Sequence, residues 1–117
     1  MSEDRLTELQ RRVAAFAAAR DWDQFHSPKN LAMALSVEAA ELVEEFQWLT
    51  EQQSRALDAD RRERVRLEMA DVLIYLLRIA DKLDIDLARA AADKLVLNEQ
   101  KYPADRVRGS SRKYTEY

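Results

Sequence analysis

Four carboxylates occur as two pairs with one spacing, Glu38-x-x-Glu41 and Glu68-x-x-Asp71. On a helix, residues three apart are neighbours, so each pair sets two like charges side by side and weakens the helix unless a cation or partner is supplied. Stepping 100° per residue from Leu35, the apolar residues Leu31, Ala39, Leu42, Phe46 and Leu49 fall within about 40°. Glu38 lies about 60° off that stripe, with Glu41 and Glu45 a little further round the same side, while Glu44 points the opposite way, into solvent. Glu68 and Asp71 fall inside residues 67–77, which are apolar on nearly all sides as in a buried helix. Asp71 lies between Leu67, Ile74 and Tyr75 and is predicted to have little access to water. A carboxylate so placed is costly unless it is paired or bound to a metal. If the two helices are antiparallel neighbours, four carboxylates converge on one point. Solvated or salt-bridged helix faces are the competing reading, because either pair alone is a common surface pattern.

Ligands that are all oxygen suit hard cations, Mg²⁺ first and Mn²⁺ as the alternative. A carboxylate di-iron centre would take Glu-x-x-His motifs from two helices. The single histidine, His26, sits in no such motif. Mg²⁺ keeps positions open for substrate phosphates, which points to phosphate-ester or phosphoanhydride chemistry. No Gly-rich phosphate loop is present, so a P-loop enzyme is excluded. Trp22, Phe25, Trp48, Tyr75 and Tyr102 are aromatic residues able to stack a nucleobase.

These residues must be positioned by helices. With one Gly, two Pro, 35% charged and 47% hydrophobic residues in 117, the composition is that of a nearly all-α domain with one core. A first helix spans residues 3–20, with Leu6, Leu9, Val13 and Phe16 at spacings of three and four. An aromatic-rich break at residues 21–26 follows, readable either as a hydrophobic staple or as a lid over a flat ligand. Ser27-Pro28 starts a second helix to about residue 49, with Ser27 as N-cap. Residues 50–60 are polar and read as a loop, and a third helix covers 61–83. Asp84 or Asp86 caps a fourth helix that ends by Tyr102, because Pro103 stops it. Lys94, Asn98 and Tyr102 share one line on it, as a satisfied helix end or a ligand contact. The helical domain is thus residues 1–103, and residues 104–117 are a basic tail.

Net charge is −3, from 22 acidic and 19 basic residues, too balanced for nonspecific nucleic-acid binding. There is no cysteine, hence neither a disulfide nor a zinc-thiolate site. With no signal-peptide pattern and no apolar run near membrane-spanning length, a cytoplasmic protein with no membrane partner is expected. The third helix is apolar on more sides than three neighbours can cover, so a homo-oligomer is expected.

The two acidic pairs, taken with further segments, resemble the all-α nucleoside triphosphate pyrophosphohydrolases of the MazG superfamily. The likeness is closer to the dCTP pyrophosphatase branch, through residues 22–31 (WDQFHSPKNL), 44–48 (EEFQW), 71–76 (DVLIYL), Lys94-x3-Asn98-x3-Tyr102-Pro103 and 110–114 (SSRKY). The resemblance implies a Mg²⁺-dependent four-helix bundle protomer that forms a dimer or a dimer-based tetramer. It implies hydrolysis between the α and β phosphates of dCTP or a modified dCTP to monophosphate and pyrophosphate, a house-cleaning of nucleotide pools. Glu38, Glu41, Glu68 and Asp71 are then the catalytic metal ligands. Trp22, Gln24, Phe25, His26, Trp48 and Tyr75 surround the nucleotide, Lys94, Asn98 and Tyr102 contact phosphate or base, and Arg112 and Lys113 close over the phosphates. Two positions depart from the pattern. Val37 stands where many MazG proteins carry a third glutamate, which leaves the general base unassigned between Glu38 and Glu41. Val13 stands where branch members can carry a base-contacting histidine, which loosens the case for strict dCTP preference. The alternatives are a broad-specificity, dUTP-type or phosphoribosyl-ATP-type relative and, in a different class, a non-catalytic helical interaction module.

Overall fold

The computed structural model describes residues 4–110, and these are helical with no strand. Helices α1 (Arg5–Ala19), α2 (Pro28–Glu44), α3 (Glu51–Ser54) and α4 (Ala59–Leu83) lie in one compact unit that runs to Ile85. Helices α5 (Leu87–Lys101) and α6 (Ala104–Val107) belong to a second unit beginning at Asp86. Among the described residues, no helix is long and apolar enough to cross a membrane.

In the first unit α4 packs on α2 and on α1. The core is small: Ala17 of α1, Leu31 of α2, and Val65, Leu77 and Ala80 of α4 are buried. The partners of Glu45 are Arg61 and Arg64, whereas Glu38 and Glu41 meet Glu68. Ascending positions on α2 therefore meet descending positions on α4, and the two helices are antiparallel, the condition on which the four-carboxylate reading rests.

Local chemistry explains most boundaries. Ser27 caps α2 as expected, its Oγ accepting from the Asn30 N–H at 3.1 Å with Pro28 in the first turn. Asp58 caps α4 and Asp86 caps α5. Asp84 closes α4 in the left-handed conformation at φ 54°, and the Ile85 N–H reaches back to the Ala80 carbonyl at 2.9 Å. Asp21, also at φ 54°, does the same for α1, with the Trp22 N–H on the Ala17 carbonyl at 3.0 Å. That reversal throws the aromatic segment back across the end of α1.

Four sequence expectations are corrected. Helix α2 stops at Glu44 instead of continuing to residue 49, and residues 45–48 form turns. Residues 50–60, read as a loop, contain α3, whose Thr50 and Gln53 form a reciprocal capping box. Asp71 is exposed. The flank of α4 that carries it also leaves Leu67, one turn earlier, half open, because α1 and α2 cover other sides of the helix. The segment read as a tail from residue 104 opens with one helical turn, α6.

Candidate active site

Glu38 and Glu41 on α2 and Glu68 on α4 bring one carboxylate oxygen each to within 4.8 Å of one another, and all three side chains are half-buried. The three-residue spacing on α2 and the antiparallel crossing of α4 produce this convergence. Glu38 Oε2 and Glu68 Oε2 are buried and have no hydrogen-bond donor among the described residues. Burial, followed by the neighbouring Glu41 and then Asp71 and Glu68, pushes the Glu38 carboxyl up to about 7. Burial and the charges of Glu41 and Asp71 raise that of Glu68 as well. Asp71 thus acts on the trio electrostatically while standing outside its tightest contact. The remaining acidic residues of this helix end are sorted by partner. Glu45 holds Arg64 through both oxygens at 3.0 Å, and Glu44 is exposed.

A small cleft of about 80 Å³ lies between α1 and α4, lined by Val13, Phe16, Trp22, His26, Tyr75 and Arg78 among others. Phe16 meets Trp22 edge-on at 5.7 Å, and Trp22 meets His26 at 6.3 Å. Three of the residues expected around the nucleotide, Trp22, His26 and Tyr75, are brought together here. Tyr75 is seven residues beyond Glu68 on α4, two turns or about 10 Å along the helix axis. The cleft and the carboxylates therefore open along one side of α4.

Other expected residues lie elsewhere. Gln24 spends its amide on the carbonyl and carboxylate of Asp21 at 3.0 and 3.1 Å. Phe25 is exposed and fixed through its carbonyl, which accepts from Asn30 at 3.1 Å. Trp48 is 86% exposed on the turn after α2. That turn is strapped to α4 by Arg61, which donates to the Glu45 carbonyl, and by Arg64 on the Glu45 carboxylate. In the second unit Lys94 is exposed, and Asn98 and Tyr102 are half-buried on one face. Arg112 and Lys113 lie outside the described residues.

Sequence reasoning missed Arg78. Its side chain is 3% exposed and spends three donors: Nη2 on Asp23 at 2.6 Å, Nη1 on Asp81 at 2.9 Å, and Nε on His26 Nδ1 at 3.3 Å. Lys82 also donates to Asp23 at 2.9 Å. This latch ties the aromatic segment to α4. Lys82 and Arg78 hold the Asp23 carboxyl below the usual carboxylate range. Desolvation, then the Arg78 charge, keeps the His26 imidazole below its ordinary value against the opposing pull of Asp23. The available signal was a lone cation inside the apolar run 72–80, which needs a partner if buried.

The profile of the MazG-like family matches residues 33–117. The chain belongs to that family. This MazG-like chain is 47% identical over 116 residues to human dCTP pyrophosphatase 1, covering 97% of its own length and 68% of the relative's. Against the bovine protein of the same name it is 43% identical over 117 residues, covering 98% and 69% of the two chains. A crystal structure of a pyrophosphatase from Archaeoglobus fulgidus superposes with a TM-score of 0.82 at 38% identity, covering 88% of this MazG-like chain and 96% of that one.

Proposed function

We propose that the chain is a nucleoside triphosphate pyrophosphohydrolase that converts dCTP, or a modified dCTP, to the monophosphate and pyrophosphate. The observation that carries this reading is the convergence of Glu38, Glu41 and Glu68, two of them with buried carboxylate oxygens that have no hydrogen-bond partner among the described residues. The substrate class rests on the likeness to dCTP pyrophosphatases over nearly the whole chain.

The donor set fits a divalent cation of the Mg²⁺ or Mn²⁺ type: every donor is an oxygen, and the two buried carboxylate oxygens have no hydrogen-bond donor among the described residues. Glu38, Glu41 and Glu68 would hold it, with Asp71 as the fourth carboxylate. Bound there, the cation supplies positive charge to the triphosphate oxygens and to the departing pyrophosphate. Glu38 or Glu41 orients the attacking water and accepts its proton. The water oxygen bonds to the α-phosphorus, the bond to the α–β bridging oxygen breaks, and its electron pair leaves with pyrophosphate. Trp22 and Tyr75 flank the base in the cleft, and exposed Trp48 and Phe25 supply further stacking surface. Gln24, Lys94, Asn98 and Tyr102 are retained as nucleotide contacts, and Arg112 and Lys113 as the residues that close on the phosphates.

Pyrophosphate release across a panel of canonical and modified nucleoside triphosphates, with Mg²⁺ and with chelator, tests the reading. Cation-dependent release with dCTP or a 5-substituted dCTP preferred is expected, and release from no triphosphate would refute it.

The same reading includes a homo-oligomer, a dimer or a dimer-based tetramer. Its support is the apolar surface that the first unit leaves open, including Met33, Val37, Leu67, Met69 and Leu76. Light scattering at micromolar concentration should give a mass of at least two chains, and a monomer would overturn the assembly.

A further inference from the structure

Three observations at the cleft concern the proton on His26. Arg78 Nε donates to His26 Nδ1, so that nitrogen carries a lone pair and the proton of the neutral ring sits on Nε2. The two ring nitrogens occupy different edges, so an imidazole with Nδ1 on Arg78 turns Nε2 elsewhere. Among the described residues nothing accepts from Nε2. The ring itself lines the cleft beside Val13, Trp22 and Tyr75, an apolar and aromatic wall with few polar atoms. A flat aromatic base entering such a site is oriented by the few polar groups that converge on it.

We propose that Arg78 is a positioning residue that fixes His26 as the Nε2–H tautomer, and that this N–H donates to an acceptor atom on the base of the substrate. The acceptor is a ring nitrogen or an exocyclic carbonyl oxygen, both of which cytosine offers. The inference rests on the nucleotide reading above and adds a specificity-determining contact that neither acidic pair supplies. Three charged groups face the imidazole: Arg78, Asp23 and Lys82. Arg78 also donates to Asp23 and Asp81. Arginine suits the task because its planar fork presents several donors at fixed angles, whereas lysine offers a single rotating point charge.

His26 is the one histidine of the chain, so ¹⁵N NMR of the full-length, ligand-free protein reads its tautomer without assignment. At pH 7 a pyrrole-like Nε2 and a pyridine-like Nδ1 are expected, with a protonation midpoint below that of free histidine. In Arg78→Met the midpoint should climb and the Nδ1–H tautomer should gain population, because the donor to Nδ1 is gone and Asp23 remains. In steady-state assays, His26→Phe should raise KM for dCTP about three- to tenfold, the range of one neutral hydrogen bond. The loss should appear in KM rather than kcat, and it should be about as many times larger for dCTP than for a base-less deoxyribose triphosphate. His26→Gln, whose amide still donates, should recover most of it, which a purely structural role for the ring does not predict. A protonated or Nδ1–H imidazole in the unaltered protein would overturn the proposal whatever the kinetics. Equal losses on dCTP and the base-less triphosphate would overturn the base contact even with the tautomer confirmed. If the unaltered protein hydrolyses no nucleotide, the substrate reading fails and the base contact falls with it, while the NMR result still decides the role of Arg78.

Discussion

Glu41→Gln is expected to lower Mg²⁺-dependent pyrophosphate release by at least about 100-fold, since residues that merely support a metal ligand are already worth roughly 10–100-fold. Glu68→Gln should do the same. The metal-free variants should nevertheless melt no lower than the parent protein, and Glu41→Gln somewhat higher. Glu41 is the neighbour that, after burial, most strongly raises both the Glu38 and the Glu68 carboxyls, so neutralising it relieves repulsion on two sides. Opposite movement of activity and stability marks a site that keeps like charges together for function. Glu44→Gln is the control, because Glu44 is exposed and outside the cluster. Asp71→Asn tests the fourth ligand. A loss comparable to that of Glu41→Gln includes Asp71 in the metal set, and full activity leaves a site of three carboxylates. Folded Glu41→Gln and Asp71→Asn proteins that both release pyrophosphate at the parent rate would end the assignment.

The second large effect is a dependence of metal-free stability on pH that a divalent cation reverses. Glu38 titrates near 4.5 when unfolded and at about 7 in the fold. Between those values the folded state binds more protons than the unfolded one, so the stability contribution is complete below about 4.5 and is lost as pH rises through about 7. At 1.36 kcal/mol per pH unit this amounts to on the order of 2 kcal/mol, allowing for partial exposure to solvent. His26 works in the opposite direction. Its folded value lies below its unfolded one, so its contribution grows as pH rises toward about 6.5. The measurement that isolates Glu38 is therefore the difference between the parent and Glu38→Gln, in thermal melts from pH 4.5 to 8 with chelator. The parent should lose stability relative to the variant across that range. Millimolar Mg²⁺ should restore it above pH 7, because cation and proton compete for the same oxygens; a ligand at about 100 times its Kd adds about 2.7 kcal/mol. A parent that responds to neither pH nor Mg²⁺ relative to Glu38→Gln would support the non-catalytic helical module.

The all-helical character, the start of α2 at Ser27-Pro28 and the end of α5 before Pro103 were legible because each rests on local chemistry: scarce Gly and Pro, a capping hydroxyl, and a residue without an N–H. The convergence of Glu38, Glu41 and Glu68 was legible in outline, since spacing places a pair on one face and apolar neighbours mark the helix that must pack there. The end of α2 was harder to see. The apolar stripe continues through Phe46 and Leu49, but the chain turns at residues 45–48, where Arg61 takes the Glu45 carbonyl and Arg64 its carboxylate. A contact between residues 16 to 19 positions apart leaves no mark on a helical period. The same holds for Asp71. Its neighbours in sequence are apolar, yet its exposure depends on which flank of α4 the other helices leave uncovered.

The sequence by itself therefore determined the presence of the four long helices, the acidic pairs and the family resemblance, because propensity, capping and motif spacing act over a few residues. Only the tertiary structure decided that α2 and α4 run antiparallel, that two of the carboxylate oxygens are buried with no donor among the described residues, and that Arg78 joins Asp23, Asp81 and His26 into one latch. Burial and long-range charge pairing are properties of packed surfaces. They arise when segments some 20 to 55 residues apart meet, and no window along the chain contains them.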